Sequence, residues 1–165
     1  MHVRIRKYHA ADERQVVDLS LLAWAPVFAS LERELGHELF VRLHGDWAQY
    51  QKSAVRAVLA DEAMHIWVAM AADPDAGDRI AGFAAATLNA NRLIGEIVML
   101  AVHPEEQNRG IGTGLTEFAT DWLRAAGMRV AMVGTGGDQG HAPARRCYER
   151  ANYQPLPIVR YFQPL

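Results

Sequence analysis

Apolar and polar positions alternate from Val3 to Tyr8, where Val3 and Ile5 are interleaved with Arg4 and Arg6. A period of two is the signature of a half-buried strand. From Asp12 the period becomes helical. Asp12 stands at an N-cap position with Gln15 three residues on, and Val16, Leu19, Leu22 and Ala23 follow on one face. Pro26 is expected to break or restart that helix. A second amphipathic stretch carries Phe28, Leu31, Leu35, Leu39 and Leu43 and ends at Gly45. Asp46 then looks like the cap of a third helix with Trp47, Tyr50, Ala54 and Val58 on one face.

The middle of the chain changes period again. His65–Ala71 is rich in β-formers, Asp73-Pro74-Asp75-Ala76-Gly77-Asp78 is a turn signal, and Ile80–Leu88 reads as the next strand. Asn89-Ala90-Asn91 is a tight turn and Gly95–Val102 a further strand. Such short connections imply an antiparallel meander. Its third strand is almost wholly apolar, which predicts a central position with both faces covered. A glycine-rich loop after His103-Pro104 leads into a helix with Ile111, Leu115, Phe118, Trp122 and Leu123 on one face and Gly127 at its C′ position. Met128–Val133 reads as a short strand and Gly134–Gly140 as a loop. Pro143 suits the first turn of a helix running to about Asn152. Leu156, Ile158, Val159, Tyr161 and Phe162 suggest a terminal strand.

Composition adds bounds. The 165 residues are half apolar and 22% charged, so a single globular α/β domain over 1–165 is expected and disorder, coiled coil and collagen are excluded. Seventeen Lys and Arg against nineteen Asp and Glu leave a net charge of −2, which recommends neither nucleic acid nor an anionic membrane as partner. The single Cys147 excludes an internal disulfide and any multi-cysteine metal site. No stretch approaches the roughly 20 apolar residues of a membrane span, and no apolar leader opens the chain, so a cytoplasmic location is expected.

The run from Gly95 to Leu115 carries the chemistry. A buried strand enters a loop whose Gly110, Gly112 and Gly114 open an amphipathic helix. The first amides of a helix lack intrahelical partners and its dipole favours an anion there, while Arg109 adds a cation, so the segment reads as a pyrophosphate cradle. It is neither of two better-known phosphate loops. A Walker loop requires a Lys and a hydroxyl that are not in place. A dinucleotide fingerprint requires a third glycine one residue later, inside a parallel βαβ unit.

Gln107-x-x-Gly110-x-Gly112 after Leu-Ala-Val-His-Pro resembles motif A of the GCN5-related N-acetyltransferases, the GNAT superfamily. Arg146-Cys147-Tyr148-Glu149-Arg150-Ala151-Asn152-Tyr153 is similar to that family's C-terminal tyrosine segment, and the order of elements across the chain agrees. The resemblance implies a mixed central sheet of six or seven strands, mostly antiparallel with one splayed parallel pair, flanked by about four or five helices. It implies acetyl-CoA as co-substrate, an amine acceptor that it does not name, and no metal. Backbone groups about Leu100, Ala101 and Val102 would hold the pantetheine. Gln107, Asn108, Arg109, Gly110, Ile111, Gly112 and Thr113 would hold the pyrophosphate, with Arg145 or Arg146 reaching a phosphate.

Because an alkylamine titrates near pH ~10 and attacks a thioester only when neutral, a base is useful. Glu96 falls where the histone-acetylating branch carries its catalytic glutamate. Tyr148 matches the family tyrosine proposed to protonate the departing thiolate. Where many relatives have an asparagine after the preceding strand, this chain has Gly134-Thr135-Gly136-Gly137-Asp138; Thr135, Asp138 or backbone groups could act in its place, and Asp138 and His141 could face the acceptor. His37 and His44 could share a helix face but have no third ligand for zinc. Glu32, Glu34 and Glu38 make the helical block locally acidic. A CoA-binding sensor without turnover is the alternative reading, and an apolar C-terminal strand is suited to pairing across a homodimer.

Overall fold

The computed structural model describes residues 3–71 and 77–165. Five strands form one sheet in sequence order: β1 (Arg4–Lys7), β2 (His65–Ala71), β3 (Arg79–Asn89), β4 (Ile94–Val102) and β5 (Val130–Val133). The first four pair antiparallel and β5 pairs parallel to β4. Five α-helices cover it: α1 (Glu13–Leu35), α2 (His37–His44), α3 (Trp47–Ala60), α4 (Ile111–Ala125) and α5 (Ala142–Arg150). The expected meander is β2-β3-β4. Its Asp73–Asp78 turn falls largely on 72–76, outside the described residues.

One face of the sheet packs on α4 through Trp67, Ala84, Ala86 and Ile97 against Ile111, Leu115, Ala119 and Leu123. The other packs on α1 and α3 through Val68, Met70, Ile80 and Phe83 against Val16, Val17, Leu19 and Val55. Burying a side chain such as Leu115 or Leu123 contributes about 2–3 kcal/mol. Between these layers β3 is made of small residues from Ala84 to Ala86 that are fully buried. The sheet is central because both its faces are covered, as the apolar run of β4 implies.

Three expectations are corrected. Pro26 lies inside α1, which runs unbroken for 23 residues; the interruption comes at Gly36, whose φ of +79° an L-residue resists. The proline forfeits one hydrogen bond to the Leu22 carbonyl, and burial of Phe28 and Ser30 just beyond it holds the helix together. Asp12 precedes α1 but makes no cap bond to it; its carboxylate takes two bonds from Arg6 and one from the His9 amide. The C-terminal segment forms no strand. Leu156, Ile158, Val159 and Tyr161 are all more than 70% exposed. Pro155 and Pro157 remove amide donors at alternate positions, so no ladder can form there. The sheet therefore has five strands rather than six or seven.

The register of β4 positions everything that follows. Opposite β3, Met99 pairs with Ala85 and Ile97 with Ala86, so Val98 is a bulge. Side-chain alternation reverses across it. Ile97, Leu100 and Val102 face α4, whereas Met99 and Ala101 face α1. On the other side, pairing to β5 stops at Ile97–Val133. From Val98 to Val102, the groups of β4 that point towards β5 have no strand partner.

Candidate active site

The unpaired half of β4 floors a cleft of about 380 Å³. Its walls are α1 at Ala23, Trp24, Pro26 and Val27, the loop between β4 and α4, and the loop between β5 and α5 with the inner face of α5.

The β4–α4 loop is held by side chains and presents backbone. Gln107 donates from Nε2 to the Val102 carbonyl at 3.1 Å, which turns the chain at the end of β4. Glu106 is buried, at 3% exposure, and binds Arg79 of β3 and Arg109, the latter at 2.8 Å. Asn108 and Gly110 have φ of +61° and +83°, and such reversals turn successive amides towards one side. Ile111, Gly112 and Thr113 then offer the free amides of the first turn of α4. A Cβ at Gly112 would sit 3.2 Å from Cys147 Sγ, so α4 and α5 also require a glycine for their close packing. A Cβ at Gly114 would meet nothing, and that glycine is not needed for space.

The β5–α5 loop is held by backbone acceptors and presents a side chain. Arg145 donates to the carbonyls of Gly136 and Asp138 at 2.6 and 2.7 Å. Gly140 donates to Ser30 Oγ of α1 at 2.9 Å, and lies so close that a Cβ there would be 2.6 Å from that of Ser30. Asp138 caps the turn at the Gly140 amide and is hydrogen-bonded to His141 Nδ1. Burial alone would raise the Asp138 carboxyl, but hydrogen bonds from Ser30 and His141 outweigh it and hold it below the usual carboxylate range.

The residues singled out in the sequence divide. Leu100, Ala101, Val102, Gln107, Asn108, Gly110, Gly112, Thr113 and Tyr148 all line the cleft. Ile111 is buried beneath it in the α4 core. Arg109 is tied to Glu106, and Arg145 is engaged with loop carbonyls; neither lines the cleft, whereas Arg146 and Arg150 do. Glu96 shares the α1-facing side of β4 but opens on a neighbouring hollow of about 460 Å³ with Thr87, Asn89, Arg92 and Met132. Tyr148 is 9% exposed, tilted against Tyr153 at 6.2 Å. Burial, with Cys147 and Tyr153 adding to it, pushes its phenol far above the ordinary tyrosine range, so it stays protonated near neutrality. His37 pairs with Glu32, and His44 sits among Phe28, Phe40 and Tyr50. Among the described residues no group of three or more His, Cys, Asp or Glu side chains could hold a metal, and no helix is long and apolar enough to cross a membrane.

Sequence reading missed Glu106 and its partner Arg79, and the buttress of Ser30 under Gly140. The first pair is separated by 27 residues and the second by 110. No local pattern announces either.

A strand parted from its parallel neighbour above a glycine-rich helix start defines a class of fold, and the comparisons agree on which. The sequence profile of the Acetyltransferase (GNAT) family matches residues 24–153, and the chain belongs to that family. A mycothiol acetyltransferase of Beutenbergia cavernae is 39% identical over 64 residues; the match spans 39% of this chain and only about a fifth (21%) of that protein's length. A GNAT-family protein from Desulfovibrio desulfuricans has a similar structure, with a TM-score of 0.64 at 24% identity over 91% of this chain and 83% of that one. The structure of AAC(6')-Iy in complex with the bisubstrate analogue CoA-S-monomethyl-acetylneamine has a TM-score of 0.65 at 17% identity, covering 100% and 99% of the two chains. These likenesses are of fold.

Proposed function

We propose that the chain transfers the acetyl group of acetyl-CoA to a primary amine by direct attack on the thioester. The observation that carries this reading is the end of β4–β5 pairing at Ile97–Val133. It leaves a row of backbone donors and acceptors on the cleft floor that suits an amide-bearing pantetheine arm. The residues present fit the rest of acetyl-CoA. The positive φ of Asn108 and Gly110 and the free amides that open α4 suit the pyrophosphate. Arg146 and Arg150, four residues apart on α5, supply cations for phosphate. The thioester supplies an activated acyl carbon with a sulfur leaving group.

Tyr148 suits a hydrogen bond to that sulfur. A phenol held so firmly protonated stabilises the departing thiolate as a donor across the neutral range. Glu96, on the α1-facing side of β4 but outside the cleft lining, would draw a proton only through water. CoA-dependent acetylation fits the family and the bisubstrate complex of the structural neighbour.

The test is calorimetric titration with acetyl-CoA of the wild type and Thr113→Glu, followed by thiol release with a diamine, an aminoglycoside, free amino acids and a lysine-containing peptide. Thr113 is the third residue of α4, where a glutamate favours the helix while placing charge against the pyrophosphate. Saturable 1:1 binding by the wild type and at least 100-fold weaker binding by a folded T113E are expected. No binding by folded wild type overturns the reading.

A further inference from the structure

We infer that His141, oriented by Asp138, is the base that takes the proton from the acceptor amine; the inference rests on the acetyl-transfer reading above. Among the described residues that line the cleft there is no carboxylate. The ionisable ones are His141, Arg146, Cys147, Tyr148 and Arg150. The arginines are permanently charged, and the Tyr148 phenol is pushed far up by burial. Cys147 Sγ turns towards α4, 3.5 Å from Thr116 Oγ1. That leaves the imidazole of His141, whose second ring nitrogen can accept a proton on this wall.

Its orientation is set on both sides. The Asp138 carboxylate can only accept, so Nδ1 of His141 must donate to it, and the lone pair is left on Nε2. Asp138 is itself fixed by the Gly140 amide, and its turn by Arg145 on the carbonyls of Gly136 and Asp138. Against Gly140 of this turn α1 sets Val27 and Ser30, neither of them ionisable. On its own turn and on α5 the charged groups nearest in the chain are Asp138, Arg145 and Arg146. His141 stands at the N-cap of α5, seven residues before Tyr148 of that helix, and both side chains line the same cleft. A base at one end and a donor to sulfur at the other can flank an amine and the carbonyl it attacks, directly or through one water.

The step balances. Nε2 takes one proton from the acceptor ammonium, and the freed lone pair forms the N–C bond. The C–S bond breaks with its electron pair on sulfur. The second proton lost by nitrogen goes to that thiolate to give the thiol, and His141 returns its own proton to solvent.

The test compares wild type, His141→Gln, His141→Ala and Asp138→Asn with acetyl-CoA and whichever amine of the panel above releases thiol. H141Q is expected to lose about 100-fold or more in kcat with acetyl-CoA affinity unchanged, and with it the acid limb of the kcat–pH profile. D138N is expected to lose about 10-fold. Added imidazole should restore part of the activity of H141A, which a merely structural histidine would not allow. Should H141Q keep its kcat, or lose only acetyl-CoA affinity, the assignment to base is overturned while acetyl transfer stands. Should wild type bind acetyl-CoA and acetylate nothing, the transfer reading fails and takes this one with it.

Discussion

Residues 103–110 lead from β4 into α4 and residues 134–141 lead from β5 into α5, and each loop closes on a carboxylate withdrawn from solvent. In the first, Glu106 is gripped by Arg79 from β3 and by Arg109 from its own loop, and what faces the cleft is backbone. In the second, Asp138 is held by the Gly140 amide and His141 of its own turn with Ser30 of α1 beside them, and what faces the cleft is the histidine. On the proposed reading, the first loop meets a ligand common to a whole family, where bare amides suffice. The other exposes a side chain that, on the proposed reading, takes a proton from the acceptor. Removing the two carboxylates should therefore do different things.

The widest separation should come from Glu106→Ala. It leaves two arginines facing a vacated buried site, a loss of about 3 kcal/mol, or a Tm lower by roughly 10 °C in a chain of this size. Its functional defect should lie in acetyl-CoA affinity, with kcat at saturation within a few-fold of wild type. A loss confined to kcat would erase the contrast between the loops. Gly140→Ala should come next. A Cβ there meets Ser30 at 2.6 Å and the Val27 backbone at 3.0 Å, which costs about 1–3 kcal/mol and pushes the second loop off α1. Melting with kinetics should show kcat reduced about 10-fold and calorimetry an unchanged acetyl-CoA affinity.

Arg145→Ala removes two carbonyl contacts without touching the cleft lining, so a kcat loss of about 3-fold is expected, again with acetyl-CoA binding intact. If instead that binding weakens tenfold, Arg145 serves the ligand rather than the loop. The smallest effect concerns acid. Burial holds His44 and His65 neutral, below the ordinary histidine range. The unfolded chain binds those protons first, so this stability is present above about pH 6.5 and is lost as pH falls below it. Asp138, also held low, keeps its contribution above about pH 4 and loses it only in stronger acid. Melting curves at pH 7 and 5.5 should differ by a few degrees, and His44→Phe should narrow the gap.

Much of this was legible in the sequence, for reasons that can be named. The meander showed through its period and short turns, and Asp46 does cap α3, accepting from the amides of Ala48 and Gln49. The glycine loop showed because Gly110 needs a positive φ and Gly112 a bare Cα. The bulge at Val98 did not, since an apolar run from Ile97 to Val102 has no alternation to reverse. It follows that Glu96 could be matched to a position but not to a cavity. Pro26 misled because a local penalty was outweighed by burial around it, and the tail misled because its alternation was real while its prolines removed the donors. Glu106 and Arg79 were silent for want of any neighbour in sequence.

The unpaired half of β4 has one more consequence. An exposed row of peptide donors and acceptors at a sheet margin invites strands from other molecules, and proteins blunt it with charge or proline. Here the row lies inside the sheet, between β4 and β5, with α1 and α5 walling the cleft above it, so it is no open sheet margin. The peptide groups of β4 thus stay unpaired without giving another copy of the protein a sheet edge to join there.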